Sequence, residues 1–173
     1  MIKIENQNKV IYREVQRPRS FWWWLLVLVI AFIMWYGFIQ QVFFGIPFGD
    51  KPAPDVAMVI LWLIFGIAFP ITMLGILKLI IEVHEDGLYI RFMPFHIEYR
   101  KFLYKDIKQY EPIIYSPFKR FGGWGIRMNF QGETGYILNG KQGLELKFKN
   151  QTVVIGTRKP DELKKAMDSI QKK

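Results

Sequence analysis

Cysteine is absent from the chain, which excludes disulfide frameworks, thiolate metal sites and cysteine nucleophiles. Histidine is nearly absent. Only His84 and His96 occur, without an HExxH spacing, and each reads as a lone surface histidine rather than a metal ligand. Charge is missing from two long stretches, Ser20 to Gly49 and Val56 to Leu77. Each exceeds the roughly 20 residues that a helix needs to cross a hydrocarbon core of about 30 Å. Two transmembrane helices are therefore expected, over residues 20–44 and 56–78, joined by an extracytoplasmic loop over 45–55.

A cleaved export signal shares the basic start of the first run, but FWWWLLVLVIAFIMWYGFI is too long and too aromatic, and no small-residue cleavage site follows. Ionisable groups are lacking in both runs, and Gln40, Gln41 and Thr72 are thin material for a permeation pathway. A transporter acting alone is thereby disfavoured. The second run contains Pro70, Gly66 and Gly75, which permit a kink and close approach to the first. Pro47, Pro52 and Pro54 with Gly45 and Gly49 make the connector an irregular turn.

What charge there is lies outside these runs, and the net value is +9. Lys3, Lys9, Arg13, Arg17 and Arg19 outnumber Glu5 and Glu14 before the first run, whereas the connector has only Lys51 beside Asp50 and Asp55. Basic residues near helix ends stay on the cytoplasmic side. The expected protein is thus a two-helix cell-membrane protein with both termini cytoplasmic. Residues 1–19 read as a polar cytoplasmic tail. Its end forms an interface anchor: Arg17 and Arg19 lie among anionic headgroups, each contributing on the order of 1 kcal/mol, and Trp22, Trp23 and Trp24 occupy the aromatic belt. The plainer alternative is that these residues only set helix depth.

After Lys78 the apolar period becomes two. GLYIRF and FHIEYR alternate, and IKQYEPIIY, WGIRMNF, TGYILNG, GLELKFK and TVVIGT follow at intervals of about ten residues with Gly-containing turns, the pattern of a compact antiparallel sandwich or barrel. Glu85-Asp86-Gly87 reads as a tight turn, not a catalytic carboxylate pair. KPDELKKAMDSIQKK is different. Pro160 suits a first helical position, the acids sit in the first turn, and Leu163, Ala166, Met167 and Ile170 share one face. About seven strands closed by one amphipathic helix is the arrangement of a pleckstrin-homology domain, expected over residues 79–173.

Four stretches carry a resemblance: REVQRPRSFWWWLLVL, FGGWGIR, NGKQGLELKF and IGTRKPDELKKAM. Between Tyr12 and Met167 the chain resembles a family of small prokaryotic membrane proteins of unknown function, in which two transmembrane helices precede a bacterial pleckstrin-homology-like domain. The resemblance implies the fold. It brings no catalytic residue and no substrate.

SPFKRFGGWGIR, residues 116–127, is the most unusual stretch of the soluble part. A Walker-type phosphate loop leads into a helix and ends in Lys-Ser or Lys-Thr, whereas these glycines lead into an alternating strand. Gly122, Gly123, Trp124 and Gly125 instead read as a packed corner, with Trp124, Ile126, Met128 and Phe130 on one strand face. Lys119, Arg120 and Arg127, with Arg100, Lys101, Lys105 and Lys108 on the preceding hairpin, form a candidate patch for anionic lipid or a partner protein. Eukaryotic pleckstrin-homology domains hold phosphoinositides with such residues, but the aligned Lys-x-Arg motif is missing here.

Ser20, Ser116 and Ser169 lack a hydrolase context, and no nucleophile, base and oxyanion donor assemble. No metal or cofactor is implied. Nucleic-acid binding is disfavoured, because positive-inside topology accounts for much of the basic charge and the aromatics lie mainly in the apolar runs. The expected function is a noncatalytic membrane-anchored adaptor or scaffold whose β domain binds a partner protein or the lipid surface. The alternative is an accessory subunit of a membrane transport or export complex, associating through its helices. Self-association is compatible with either.

Overall fold

The computed structural model describes residues 9–19 and 21–171. Lys3, Glu5, Ser20 and the final lysines, which enter the readings above, lie outside the described residues. The chain divides into two units: Pro18–Leu77, and the residues up to Arg17 together with those from Lys78 onward.

The first unit holds two helices long and apolar enough to cross a membrane, α1 (Phe21–Phe43) and α2 (Asp55–Ile76). They close on each other through aromatic rings. Phe38 stacks on Trp62 with centroids 4.1 Å apart, and Trp35 meets Trp62 edge-on at 5.0 Å. The Trp35 indole donates to the Gly66 carbonyl at 3.1 Å. Gly66 is small for a reason: a Cβ there would lie 2.9 Å from Trp62 Cδ1 and 3.5 Å from Met34 Cβ. At the connector Gln41 donates to the Ala53 carbonyl and the Asp55 carboxylate at 2.7 and 2.8 Å. Gln41 therefore serves as a cap between the helices. Around Pro70, α2 is wound partly in wide i→i+5 turns, and Leu77 N still donates to Thr72 O. Trp22 is exposed, and the Trp24 indole donates to the Pro18 carbonyl at 3.3 Å.

The second unit contains two sheets. Sheet 1 has the order β1 (Tyr12–Gln16), β2 (Lys78–Val83), β3 (Gly87–Met93) and β4 (Arg100–Leu103), all antiparallel. Sheet 2 has the order β5 (Gln109–Ile114), β8 (Gln142–Lys147), β9 (Thr152–Gly156), β7 (Thr134–Ile137) and β6 (Gly125–Met128). The short helix α3 (Pro117–Phe121) precedes β6, and α4 (Pro160–Gln171) follows β9. Among the described residues the sheets do not join into a closed barrel. Nor is the pairing wholly antiparallel. β9 inserts between β8 and β7, antiparallel to the first and parallel to the second.

Three sequence expectations change. Residues 12–16 are a strand, not part of a free tail: Gln16 pairs with Leu79 and Tyr12 with Val83, so the helical unit is an insertion between neighbouring strands. The segment 95–99 alternates like a strand but runs as a loop after a cis Met93–Pro94 bond, leaving Phe95 and Ile97 exposed. Trp124 is not packed into a corner, being 45% exposed.

The buried interior follows the pleat. Leu79, Ile81, Leu88, Ile90 and Phe92 of sheet 1 are fully covered, as are Leu144, Leu146 and Ile155 of sheet 2. α4 lies against β2, β5 and β8 and buries Leu163 and Met167 completely, as its apolar stripe requires. On the other face of sheet 2, Tyr115, Phe121, Ile137 and Val154 form a second cluster. The Tyr115 ring fits there because β8 and β9 present glycine. A Cβ on Gly143 would lie 2.8 Å from the Ile155 carbonyl and 3.0 Å from the Tyr115 ring.

Candidate functional site

The corner at residues 116–127 is built as a one-turn helix with both ends capped. Ser116 Oγ accepts from Lys119 N, Pro117 takes the first turn, and Gly122 adopts a left-handed φ of 71° to end it. The helix points Phe121, not Trp124, into the core. Trp124 stands outside against Phe118, edge-on at 4.8 Å. Glycine at 122, 123 and 125 is explained by positive φ at all three positions.

Arg120 leaves the candidate patch. Its guanidinium grips Glu133 with two bonds of 2.8 Å and also donates to Glu145, a carboxylate buried on β8. Both acids raise the Arg120 pKa, Glu133 most, and Arg120 in turn holds Glu133 below the usual carboxylate range. Asn129 Nδ2 donates to Glu133 as well, at 2.7 Å. Arg120 is thus a structural cation whose charge is already matched by two carboxylates.

The remaining cations fall into two groups. Arg100 and Lys101 lie exposed on β4 at the edge of sheet 1, Lys105 in the turn after it, and Lys108 just before β5. Lys101 sits over the Tyr89 ring at 5.1 Å. Lys119 and Arg127, also exposed, lie at α3 and β6, on the edge of sheet 2 opposite β5. Arg127 Nε donates to the Trp124 carbonyl at 3.0 Å. The hairpin cations and the corner cations therefore belong to different edges.

Besides Glu145, sequence reasoning missed two further buried carboxylates. Glu82 on β2 accepts from Tyr99 at 3.0 Å and Arg13 at 3.2 Å and meets His84 at 3.1 Å. His84 is consequently not a lone surface histidine, and its ring lies 4.2 Å from that of Tyr89. His96 is not one either; its ring abuts Tyr136 at 5.7 Å, and burial, then Arg100, push its pKa down. Glu14 on β1 accepts from Thr157 Oγ1, from Arg158 N at 3.2 Å and from Tyr12 at 3.3 Å. Burial and then Glu14 raise the Tyr12 pKa. Gln16 adds a bond from Nε2 to the Gly156 carbonyl at 2.8 Å. The available signal was a charge inside an apolar run for Glu82; for Glu14 there was none, since its partners are far away in sequence.

Among the described residues no group of three or more His, Asp or Glu side chains could hold a metal ion. A shallow cleft of about 220 Å³ between β5, β8 and the start of α4 is lined by Pro112, Ile113, Ile114, Gln142, Pro160 and Asp161. It presents one carboxylate and no base or nucleophile beside it.

No curated protein and no solved structure matches the chain. One family model does, over residues 4–172, and with that coverage the chain belongs to DUF6141, a family of unknown function.

Proposed function

We propose that the chain is a noncatalytic adaptor held in a membrane by α1 and α2, with its β unit and both termini on the cytoplasmic side. The observation that carries this reading is the insertion itself. Because Gln16 and Leu79 are register partners, the helical segment leaves and re-enters one sheet at neighbouring strands. A helix pair does so naturally if it crosses the bilayer and returns. The basic residues flanking the pair and the single lysine of the connector agree with a cytoplasmic β unit.

Two sheets closed by a C-terminal amphipathic helix support a pleckstrin-homology-like unit, with β1 and the parallel β7–β9 pair as additions to that outline. Such a unit offers sheet edges and loops for a protein partner or a lipid surface. A second reading, an accessory subunit of a transport or export complex, is favoured by the helices: their side chains are mostly uncovered, and Gly75 has open space where a Cβ would stand.

Mild-detergent affinity purification separates the two, comparing the full chain with residues 18–77 alone. The adaptor loses its copurifying proteins when the β unit is removed. Retention of the same partners by the helices alone would overturn it in favour of the subunit.

A further inference from the structure

The two ends of sheet 1 carry opposite chemistry. At one end β2 turns into β3 through Glu85 and Asp86, both exposed and acidic. At the other end β3 runs out at Met93 into residues 94–99, where Phe95 is 63% and Ile97 84% exposed. This loop is held in place by the residue between them. His96 N donates to the Phe92 carbonyl at 2.8 Å, Arg91 Nε donates to the His96 carbonyl at 3.4 Å, and the His96 ring abuts Tyr136 at 5.7 Å. With His96 turned toward the sheet, the apolar side chains on either side of it are left outside.

The register fixes where the loop lies. Met93 pairs with Lys78, which follows Leu77 directly and is the first charge after the apolar run of α2. Paired Cα atoms of an antiparallel ladder are about 5 Å apart and successive ones about 3.8 Å. Phe95 therefore stays within about 13 Å of the point where the apolar run ends, however the sheet is turned. The exit toward α1 is at this end as well: Gln16 pairs with Leu79, and Asn139 Nδ2 donates to the Arg17 carbonyl at 2.9 Å, in the turn that also carries exposed Lys141. The loop's own acid, Glu98, is outnumbered there by Arg17, Lys78 and Lys141. Bulky apolar residues among cations, beside the points where the chain enters and leaves an apolar run, fit the boundary between acyl chains and headgroups. A groove in a partner protein would accept the same two side chains, but it gives no reason for them to sit at this end and the acids at the other.

We infer that the β3–β4 loop dips Phe95 and Ile97 into the cytoplasmic interface of the bilayer that α1 and α2 cross. This deepens the adaptor reading and rests on it for the presence of a membrane. The loop adds a third point of attachment to the two helix junctions, so that the Glu85–Asp86 end of sheet 1 is turned away from the lipid and left open to partners. His96 is a positioning residue for the loop and takes no part in lipid contact.

The natural absence of cysteine makes the test direct. Full-length Ile97→Cys, labelled with a polarity-sensitive fluorophore, is reconstituted in nanodiscs of phosphatidylcholine and phosphatidylglycerol, beside Glu85→Cys at the opposite end of the sheet and Phe32→Cys on α1. The residue-97 label is shielded from iodide and quenched by doxyl-labelled lipid, while the residue-85 label is open to iodide and unquenched. Adding Phe95→Ser to the residue-97 variant lowers the inserted fraction relative to the free one by about tenfold, as loss of a buried aromatic side chain requires. Iodide access at residue 97 equal to that at residue 85 overturns the inference. So does shielding without quenching by the doxyl lipid, which would assign the loop to a protein contact. With the residue-32 label quenched, either result leaves the membrane reading standing and removes only the loop insertion. A residue-32 label that doxyl lipid does not quench would remove the membrane reading and the inference together.

Discussion

The two units hold themselves together by opposite means. In Pro18–Leu77 the contacts are aromatic faces and close backbone approach at Gly66, with polar bonding concentrated at the Gln41–Asp55 end. In the β unit, apolar layers are cross-braced by charged networks: Arg120 with Glu133 and Glu145, Arg13 and Tyr99 with Glu82, Thr157 and Arg158 with Glu14. In hydrocarbon, where apolar burial gives no driving force, a helix pair associates through packing shape and close contact of this first kind. The second kind is at home in water, where a buried carboxylate is tolerable once paired. The difference teaches that the β unit has specific points of failure, whereas the helix pair has one seam.

The largest effect should come from the apolar anchor of the corner. Phe121→Ala empties the cluster of Tyr115, Ile137 and Val154 and should cost about 3–5 kcal/mol, visible as a large fall in the denaturation midpoint of the detergent-solubilised protein. Arg120→Met comes next: it leaves buried Glu145 without its guanidinium, at a cost of about 2–3 kcal/mol given the partial exposure of the pair. Full retention of the midpoint in that variant would mean that the network only decorates the fold. Gly66→Leu probes the other side of the comparison. It should part α1 from α2, seen as loss of crosslinking between cysteines placed across the seam, and leave the unfolding of the β unit unchanged.

Acid gives a smaller and graded change. Arg120 lowers the Glu133 pKa below its ordinary 4.5, so the folded state binds that proton less readily than the unfolded one. Its stabilising effect is complete above about pH 5 and is lost as pH falls through the depressed value. In Arg120→Met this acid-limb slope should flatten in a pH-dependent melt. Trp124→Ala should do least, within about 1 kcal/mol, because the side chain is already half outside. A drop comparable to that of Phe121→Ala would restore the packed-corner account of Trp124.

Much of this arrangement was legible in the residues. Uninterrupted apolar runs mark α1 and α2, and the stripe of Leu163 and Met167 marks α4, because each pattern is local and its period is unambiguous. β1 was hidden because its inward residues are Glu14 and Gln16, which look like tail until Thr157 and Gly156 are brought to them. The loop at 95–99 shows the reverse, alternation without a partner strand. At the corner the strand and its faces were readable in WGIRMNF, but not that the apolar face is uncovered. Arg120 could not be told from Lys119 or Arg127, since its acids lie 13 and 25 positions away.

The claim on which the rest depends is that the helical insertion crosses a membrane and returns to the same side. Single cysteines at Lys51, in the connector, and at Lys149, in the β unit, read this out with an impermeant maleimide applied to intact cells. The account predicts that Lys51→Cys is labelled from outside and Lys149→Cys only after permeabilisation. Labelling of Lys149→Cys in intact cells, or protection of both positions until the cells are opened, would contradict it.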